Sequence, residues 1–498
     1  MDRRRDRAPS GVALALGLAV LAGAVAVGAR VSDARDVADP VRWATDVEPA
    51  EPLNAAFEGI PTFRGNATRT FVGEGPVPSS PVIRWRSPDE PMCSMSTVGL
   101  DGTPLQEWCG TGWTGQPNVV MLDDGTVEVR EGAYDGAYHF VDGATGEPLR
   151  PPLQTGDLAK GSATSDPDGY PLYYGGSRDD LFRVIALDRP EPTVLWELDA
   201  TTSVPEPKWN DDWDGAPLLV QGHVVIGGEN GWLYVVDLRR SYGPEGVAVD
   251  PTVTAVRGWD RELLGAIGDD DVSIESSVAY DDGVVYFGNS GGLVQGWDVS
   301  GTLDDGSAPE RVFRFWTGDD TDASVVIDDE GSLYVASELQ RFTARSRDLG
   351  QLMKLDPSRP ESPVVWSIQA PEIGFQGAGG SWSTPALWGD LVVFATAAGR
   401  ILGVDRITGE IVWELQAGAP SIVSPVVVDG TLLHADCSGH LYAWDLTAGQ
   451  GRPPLRWTLD LGDCIESTPA VWRGWIYVGT REGYLYGVAD RDAPAPGA

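Results

Sequence analysis

Lysine is almost absent from this 498-residue chain, and histidine and cysteine occur four times each. His139, His223, His434 and His440 fall on predicted strands or turns. They show no His-x-x-x-His spacing and no Ser-His-Asp constellation, so neither a zinc centre nor a hydrolytic triad is legible. Positive charge is the scarce sign, with 36 Lys and Arg against 74 Asp and Glu and a formal net charge of −38. The first ten residues hold four Arg against two Asp, so the rest is more acidic still. Nucleic acid and anionic lipid are therefore poor partners for the globular part. A basic protein, a basic peptide or a metal suits it better, the alternative being that the acidity serves solubility alone.

Long apolar runs are missing too, with one exception. Residues 11–29 are uncharged for about one bilayer crossing and follow Arg3, Arg4, Arg5 and Arg7. The expectation is a cytoplasmic basic tail (1–10), a single transmembrane anchor or signal segment (11–29) and an extracytoplasmic remainder in the cell membrane. Ala24-Val25-Ala26 offers a cleavage site for the alternative, a secreted product. No cysteine follows the run, so a lipoprotein anchor is not expected. Residues 30–78 are rich in Pro, Ala, Asp and Glu without a strand period and read as an extracytoplasmic linker. An even cysteine count in an exported chain reads as disulfides, here two local pairs, Cys93 with Cys109 and Cys437 with Cys464.

What is abundant is a repeat. Residues 383–415 hold three short runs of β-branched and aromatic residues, separated by Gly-Asp, Ala-Ala-Gly and Thr-Gly turns. The Gly-(five residues)-Asp element of this stretch recurs at Gly136/Asp142, Gly231/Asp237, Gly292/Asp298, Gly350/Asp356, Gly399/Asp405 and Gly439/Asp445. Two degenerate copies keep Asp188 and Gly483. A tryptophan follows on a fourth run: Trp196, Trp259, Trp316, Trp366, Trp413 and Trp457. Repeats of this length with four strands each predict an all-β chain, an eight-bladed β-propeller over 79–490 with a disordered tail at 491–498. A lone meander cannot cover both of its faces, whereas stacked blades cover each other.

The last repeat lacks its fourth strand, and residues 81–85, Pro-Val-Ile-Arg-Trp, look like that strand in isolation. The N-terminal strand is expected to complete blade eight and close the ring. The long inserts 239–254 and 340–347 are expected as loops on one rim.

Ser-Thr-Pro-Ala, then Gly-x-Leu-Tyr-x-x-Asp, then Thr-Gly and Trp, clearest in blades six and eight, resembles the pyrroloquinoline-quinone-type propeller repeat. Quinoprotein alcohol dehydrogenases use this repeat, as does the non-enzymatic lipoprotein of the outer-membrane β-barrel assembly machine. The resemblance implies the fold over residues 80–490 and says little of function. The adjacent Cys-Cys pair and the Cys-x-x-Cys-His haem site that such dehydrogenases often carry do not occur here.

Aligning the first strand of every blade gives the column Thr114, Gly161, Asp214, Glu275, Asp322, Trp382, Ile422, Glu466. Equivalent positions lie at one height around the axis, so Asp214, Glu275, Asp322 and Glu466 are the candidate metal ligands at one channel mouth. Oxygen-only ligands suit calcium, and the bland alternative is a solvated rim of loop-capping carboxylates. Trp113, Trp209, Trp213 and Trp382 fall at the same end and are candidate ligand contacts, or else pack the loops. The reading that follows is a membrane-tethered, non-catalytic binding or scaffold protein of the cell envelope, with an envelope protein or basic peptide as partner. It requires no cofactor, and calcium is the first candidate for one. The alternative is a pyrroloquinoline quinone- and calcium-dependent oxidoreductase using the acidic mouth. A binding module for an envelope polymer is the third.

Overall fold

The computed structural model describes residues 58–97, 104–112, 115–449 and 451–498. The basic tail, the apolar segment, most of the linker, Trp113 and Thr114 lie outside the described residues. Among the described residues no helix is long and apolar enough to cross a membrane.

Blade six shows how the sequence builds each unit. Ala386–Trp388, Leu391–Ala395, Arg400–Asp405 and Ile411–Gln416 pair antiparallel in that order. The chain turns at Gly399 (φ 77°) and Gly409 (φ 75°), where a side chain would be strained. The repeated aspartate forms the third turn. Asp405 Oδ1 accepts the N–H groups of Ile407 and Thr408 at 2.9 and 2.7 Å, and Asp142, Asp356 and Asp445 repeat the arrangement.

Eight such sheets form the ring, as the repeat predicts. In the last, Pro81–Ser87 pairs antiparallel with Leu485–Asp490, so the N-terminal strand closes the propeller. Trp85 seals that seam by donating its indole N–H to Gly143 O of blade one at 3.0 Å. Its ring leaves no room at Gly146, where a Cβ would meet it at 2.7 Å. Trp366 covers Gly409 of blade six in the same way, which is why Thr-Gly and Trp recur together. Trp316 departs from this pattern and bonds to Gly291 O within its own blade.

Ser and Thr of the first strands form a belt around the channel. From blade three to blade seven an N–H of one blade donates to a hydroxyl of the next: Ala216 to Ser277, Ser277 to Ser324, Ser324 to Thr384, Thr384 to Ser424. This accounts for the Ser-Thr-Pro signature.

Residues 58–75, expected as the end of the linker, instead fill the channel. Gly59–Ile60 pairs antiparallel with the inner edge of blade one, and Gly73–Glu74 pairs parallel with that of blade eight. Between them the segment bonds to all six other blades, at Ser165, Pro217, Tyr280, Ile327, Thr384 and Pro425 among others. Arg64 and Arg69 are fully buried. Polarity alone masked this plug, because its partners are backbone groups of inner strand edges that no apolar period reports.

Two further expectations change. Residues 491–498 are ordered against the ring, with the Trp475 indole donating to Pro494 O at 2.9 Å. The two inserts lie on opposite rims, because 239–251 joins the third and fourth strands of blade three while 337–351 joins the second and third of blade five. The first carries the hairpin Ser241–Gly243/Gly246–Ala248 and the second the helix Ala344–Leu349.

Candidate functional site at the channel mouth

The loops that open the blades meet at one end of the channel, and the acidic column gathers there in separate groups. Asp214 and Glu229 of blade three enclose the side chain of Lys160, which comes from the loop opening blade two. Lys160 Nζ lies 2.6 Å from Asp214 Oδ2, 3.8 Å from Glu229 Oε1 and 3.9 Å from Asp212 Oδ2. Arg178 Nε reaches Asp212 at 2.7 Å. Burial and then Asp214 push the Glu229 carboxyl well up. Burial opposes the charge on Lys160, but Asp214, Glu229, Asp212 and Glu275 together hold it protonated.

Blade five holds a second group, Asp320, Asp322 and Glu338. One oxygen from each lies within 4.8 Å of the others, as is also true of Asp214, Glu229 and Glu275. Burial raises all three carboxyls strongly; Asp271 and Glu275 add to the rise at Asp320, Asp320 to that at Asp322, and Asp320 and Asp322 to that at Glu338. Glu275, a member of the first group, also feels the second, being raised by burial and then by Asp322 and Asp214.

Glu466 belongs to neither group. Arg481 Nη1 lies 3.2 Å from both of its carboxylate oxygens, and the Tyr134 hydroxyl approaches at 3.5 Å. The Trp108 ring packs between Arg481 and Arg178, 5.2 and 6.0 Å from their guanidinium carbons. Trp108 lies on a hairpin, Cys93–Thr97 with Leu105–Cys109, tied at its base by the Cys93–Cys109 disulfide. The Cys437–Cys464 disulfide links blade seven to the opening of blade eight at the same end.

The four expected metal ligands thus do not converge on one point: Asp214 faces a lysine, Glu466 an arginine, and only Asp322 joins a carboxylate group without one. Of the tryptophans, Trp213 is 1% exposed and packs on Phe182 and Tyr234, with its indole N–H bonded to Asp180 O. Trp382 is 5% exposed and packs on Phe375. Both stabilise loops and present no ring to solvent, whereas Trp209 is 43% exposed. The first-strand alignment, with its flanking acids such as Asp320, missed Lys160, Glu229, Glu338 and Arg481. Glu229 and Glu338 follow the second strands of their blades, so a second column aligned just past those strands would have found them.

A cavity of about 720 Å³ lies at the opposite end, where the plug leaves the channel beside Val72, Trp388, Arg406, Val427 and Asp429.

No family model matches the chain. It is 27% identical over 106 residues to outer membrane protein assembly factor BamB of Francisella salina, which is 21% of this chain and 19% of that protein. The match therefore spans about a fifth of that relative. The crystal structure of BamB from Moraxella catarrhalis superposes with a TM-score of 0.50 at 14% identity, over 80% of this chain and 100% of that one. Quinohemoprotein alcohol dehydrogenase from Comamonas testosteroni gives 0.56 at 12% identity, over 86% and 80%. A europium-containing methanol dehydrogenase gives 0.54 at 14% identity, over 86% and 98%. The chain is thus an eight-bladed propeller of the pyrroloquinoline-quinone-like type, a fold it shares with BamB and with the quinoprotein alcohol and methanol dehydrogenases.

Proposed function

We propose that this protein is a non-catalytic binding propeller of the cell envelope whose acidic mouth receives a basic protein or peptide. The observation that carries the reading is the state of the rim carboxylates. Asp180 is pushed up to about 6 by burial and then by Asp211 and Asp212. Asp271 is also pushed up to about 6, by burial, with Asp269 and Asp270 adding to it against the pull of Arg341. Crowded carboxylates of this kind are relieved by a cation from outside. The two disulfides support an extracytoplasmic place, and so does the similarity to BamB. The N-terminal apolar run would supply the membrane tether.

A quinone cofactor fits less well. Two of the four acids proposed to hold its calcium are already paired with Lys160 and Arg481, and Trp108 fills the space between Arg178 and Arg481.

The test is calorimetric titration of the full chain with an arginine-rich peptide at low and high salt. Binding should weaken with salt, and should fall about tenfold in a variant carrying Asp180→Asn, Asp211→Asn and Asp271→Asn. Binding that ignores both changes would refute the basic-partner reading. Salt-insensitive binding of a neutral envelope polysaccharide that is lost on Trp209→Ala would instead favour a polymer binder.

A further inference from the structure

The two carboxylate groups differ in what they enclose. Asp214 and Glu229 surround the Lys160 ammonium. Among the described residues no lysine or arginine forms an ion pair with Asp320, Asp322 or Glu338, and the nearby Arg341 is engaged by Asp269 and Asp271 at 2.7 and 2.9 Å.

Glu338 is 0% exposed, and no hydrogen-bond donor reaches either of its carboxylate oxygens, which face the Asp322 carboxyl. Asp320 Oδ1 has none either, while its Oδ2 accepts from Gln340 Nε2 at 2.6 Å. Asp322 Oδ1 accepts from Ser290 Oγ at 3.3 Å. The backbone holds these groups in place. Glu338 N donates to Asp320 O at 2.8 Å, and Glu338–Leu339 pairs with Gly379–Gly380, which opens blade six. Asp319 is fully engaged: it accepts the N–H groups of Gln340, Arg341 and Phe342 and the Ser346 hydroxyl, and so clamps the insert over the site. It is a scaffold for the group and not a member of it.

The geometry points to a divalent-cation site of the calcium type formed by Asp320, Asp322 and Glu338, with Gln340 at its edge. Two oxygens that both touch one calcium ion, each at about 2.4 Å, lie at most about 4.8 Å apart, and the three oxygens meet that limit. The donors are all oxygen, which favours calcium over zinc, and the site is too dry to leave magnesium its usual waters. A cation there would tie the insert, the start of blade six and blade five into one unit. This goes beyond the basic-partner reading, because the site is local to blade five and does not depend on what the rim receives.

The full chain, treated with chelator, is titrated with calcium chloride and, in parallel, magnesium chloride, by calorimetry and thermal unfolding. Wild type should bind one calcium and melt at a higher temperature with it. Glu338→Gln and Asp320→Asn should each weaken calcium binding at least tenfold, while Glu466→Gln, outside the group, should retain it. Without calcium, Glu338→Gln should melt no lower than wild type, since one uncompensated buried acid is removed. If Glu338→Gln fails to fold, Asp320→Asn gives the same reading. A wild type indifferent to calcium overturns the site, including the case where its melting temperature rises only on acidification, because the group then shares protons alone. Calcium binding that survives both substitutions overturns it equally.

Discussion

Lys160 Nζ sits 2.6 Å from Asp214 Oδ2 in a site from which water is largely excluded, the Asp214 side chain being 1% exposed. This lysine, one of three in the chain, turns an acidic column into an internal ion cluster. Removing it leaves Asp214, Glu229 and Asp212 without their shared cation.

Lys160→Met should therefore cost about 3–5 kcal/mol of stability at neutral pH, the usual penalty for breaking a buried pair. Adding Asp214→Asn should restore part of the loss. Denaturant unfolding of the two single variants and the double variant checks this, and additive losses would mean that the residues do not act as a pair.

The rim acids set a pH dependence whose sign is fixed. Asp180 and Asp271 have folded values of about 6 against an ordinary 3.8, so the folded state binds protons more tightly than the unfolded one. Their contribution is present at the acid end and is lost as pH rises through about 6. Asp180→Asn and Asp271→Asn should raise the melting temperature at pH 8 and leave it nearly unchanged near pH 4. An equal shift at both pH values would mean that the charge forced on these buried, crowded carboxylates is not the cause.

Repeats and turns were legible in the chain because each has a local cause: Gly399 and Gly409 need a positive φ, Asp405 ties its own turn, and Trp366 needs a glycine beneath it. The first-strand acids were legible as a column for the same reason. Their partners were not. Lys160 and Asp214 are far apart in sequence and meet only because blades two and three are adjacent. Trp213 and Trp382 looked like ligand contacts because sequence gives the height of a residue along the channel but not the direction of its ring. The plug was missed because Arg64 and Arg69 satisfy backbone carbonyls, which carry no side-chain signature.

Those two arginines are not equivalent. Arg69 donates to Val278 O, Phe63 O, Thr62 Oγ1 and Ala216 O. Arg64 bonds through Nη2 to Thr384 O and Pro425 O, while its Nε and Nη1 find no partner. Burial pushes both guanidinium groups down to about 9. Arg69→Met should cost about 2–4 kcal/mol, because it abandons several charge-assisted bonds and strands buried carbonyls, and Arg64→Met less than half of that. Equal losses in chemical denaturation would show that the plug is held by its shape and not by these bonds.

The seam at blade eight is where ring closure can be tested apart from blade stability. Trp85 lies on the strand that crosses from the N-terminal side to pair with Leu485–Asp490, and its ring contacts the turn at Gly146 of blade one. Trp366 makes the matching contact with Gly409 between blades five and six, which the chain also joins covalently in sequence. Trp85→Ala and Trp366→Ala should each cost about 3–5 kcal/mol as large-to-small core changes. Only the first removes a clasp of the ring, so it should speed unfolding more than the second at equal loss of stability. Deleting residues 81–87 should go further and lower the melting of the whole propeller in a single transition, since blades one and eight would each lose a covered face. A deletion variant that keeps its melting temperature, or melts in two steps with blades two to seven intact, would mean that the ring does not depend on strand exchange for closure.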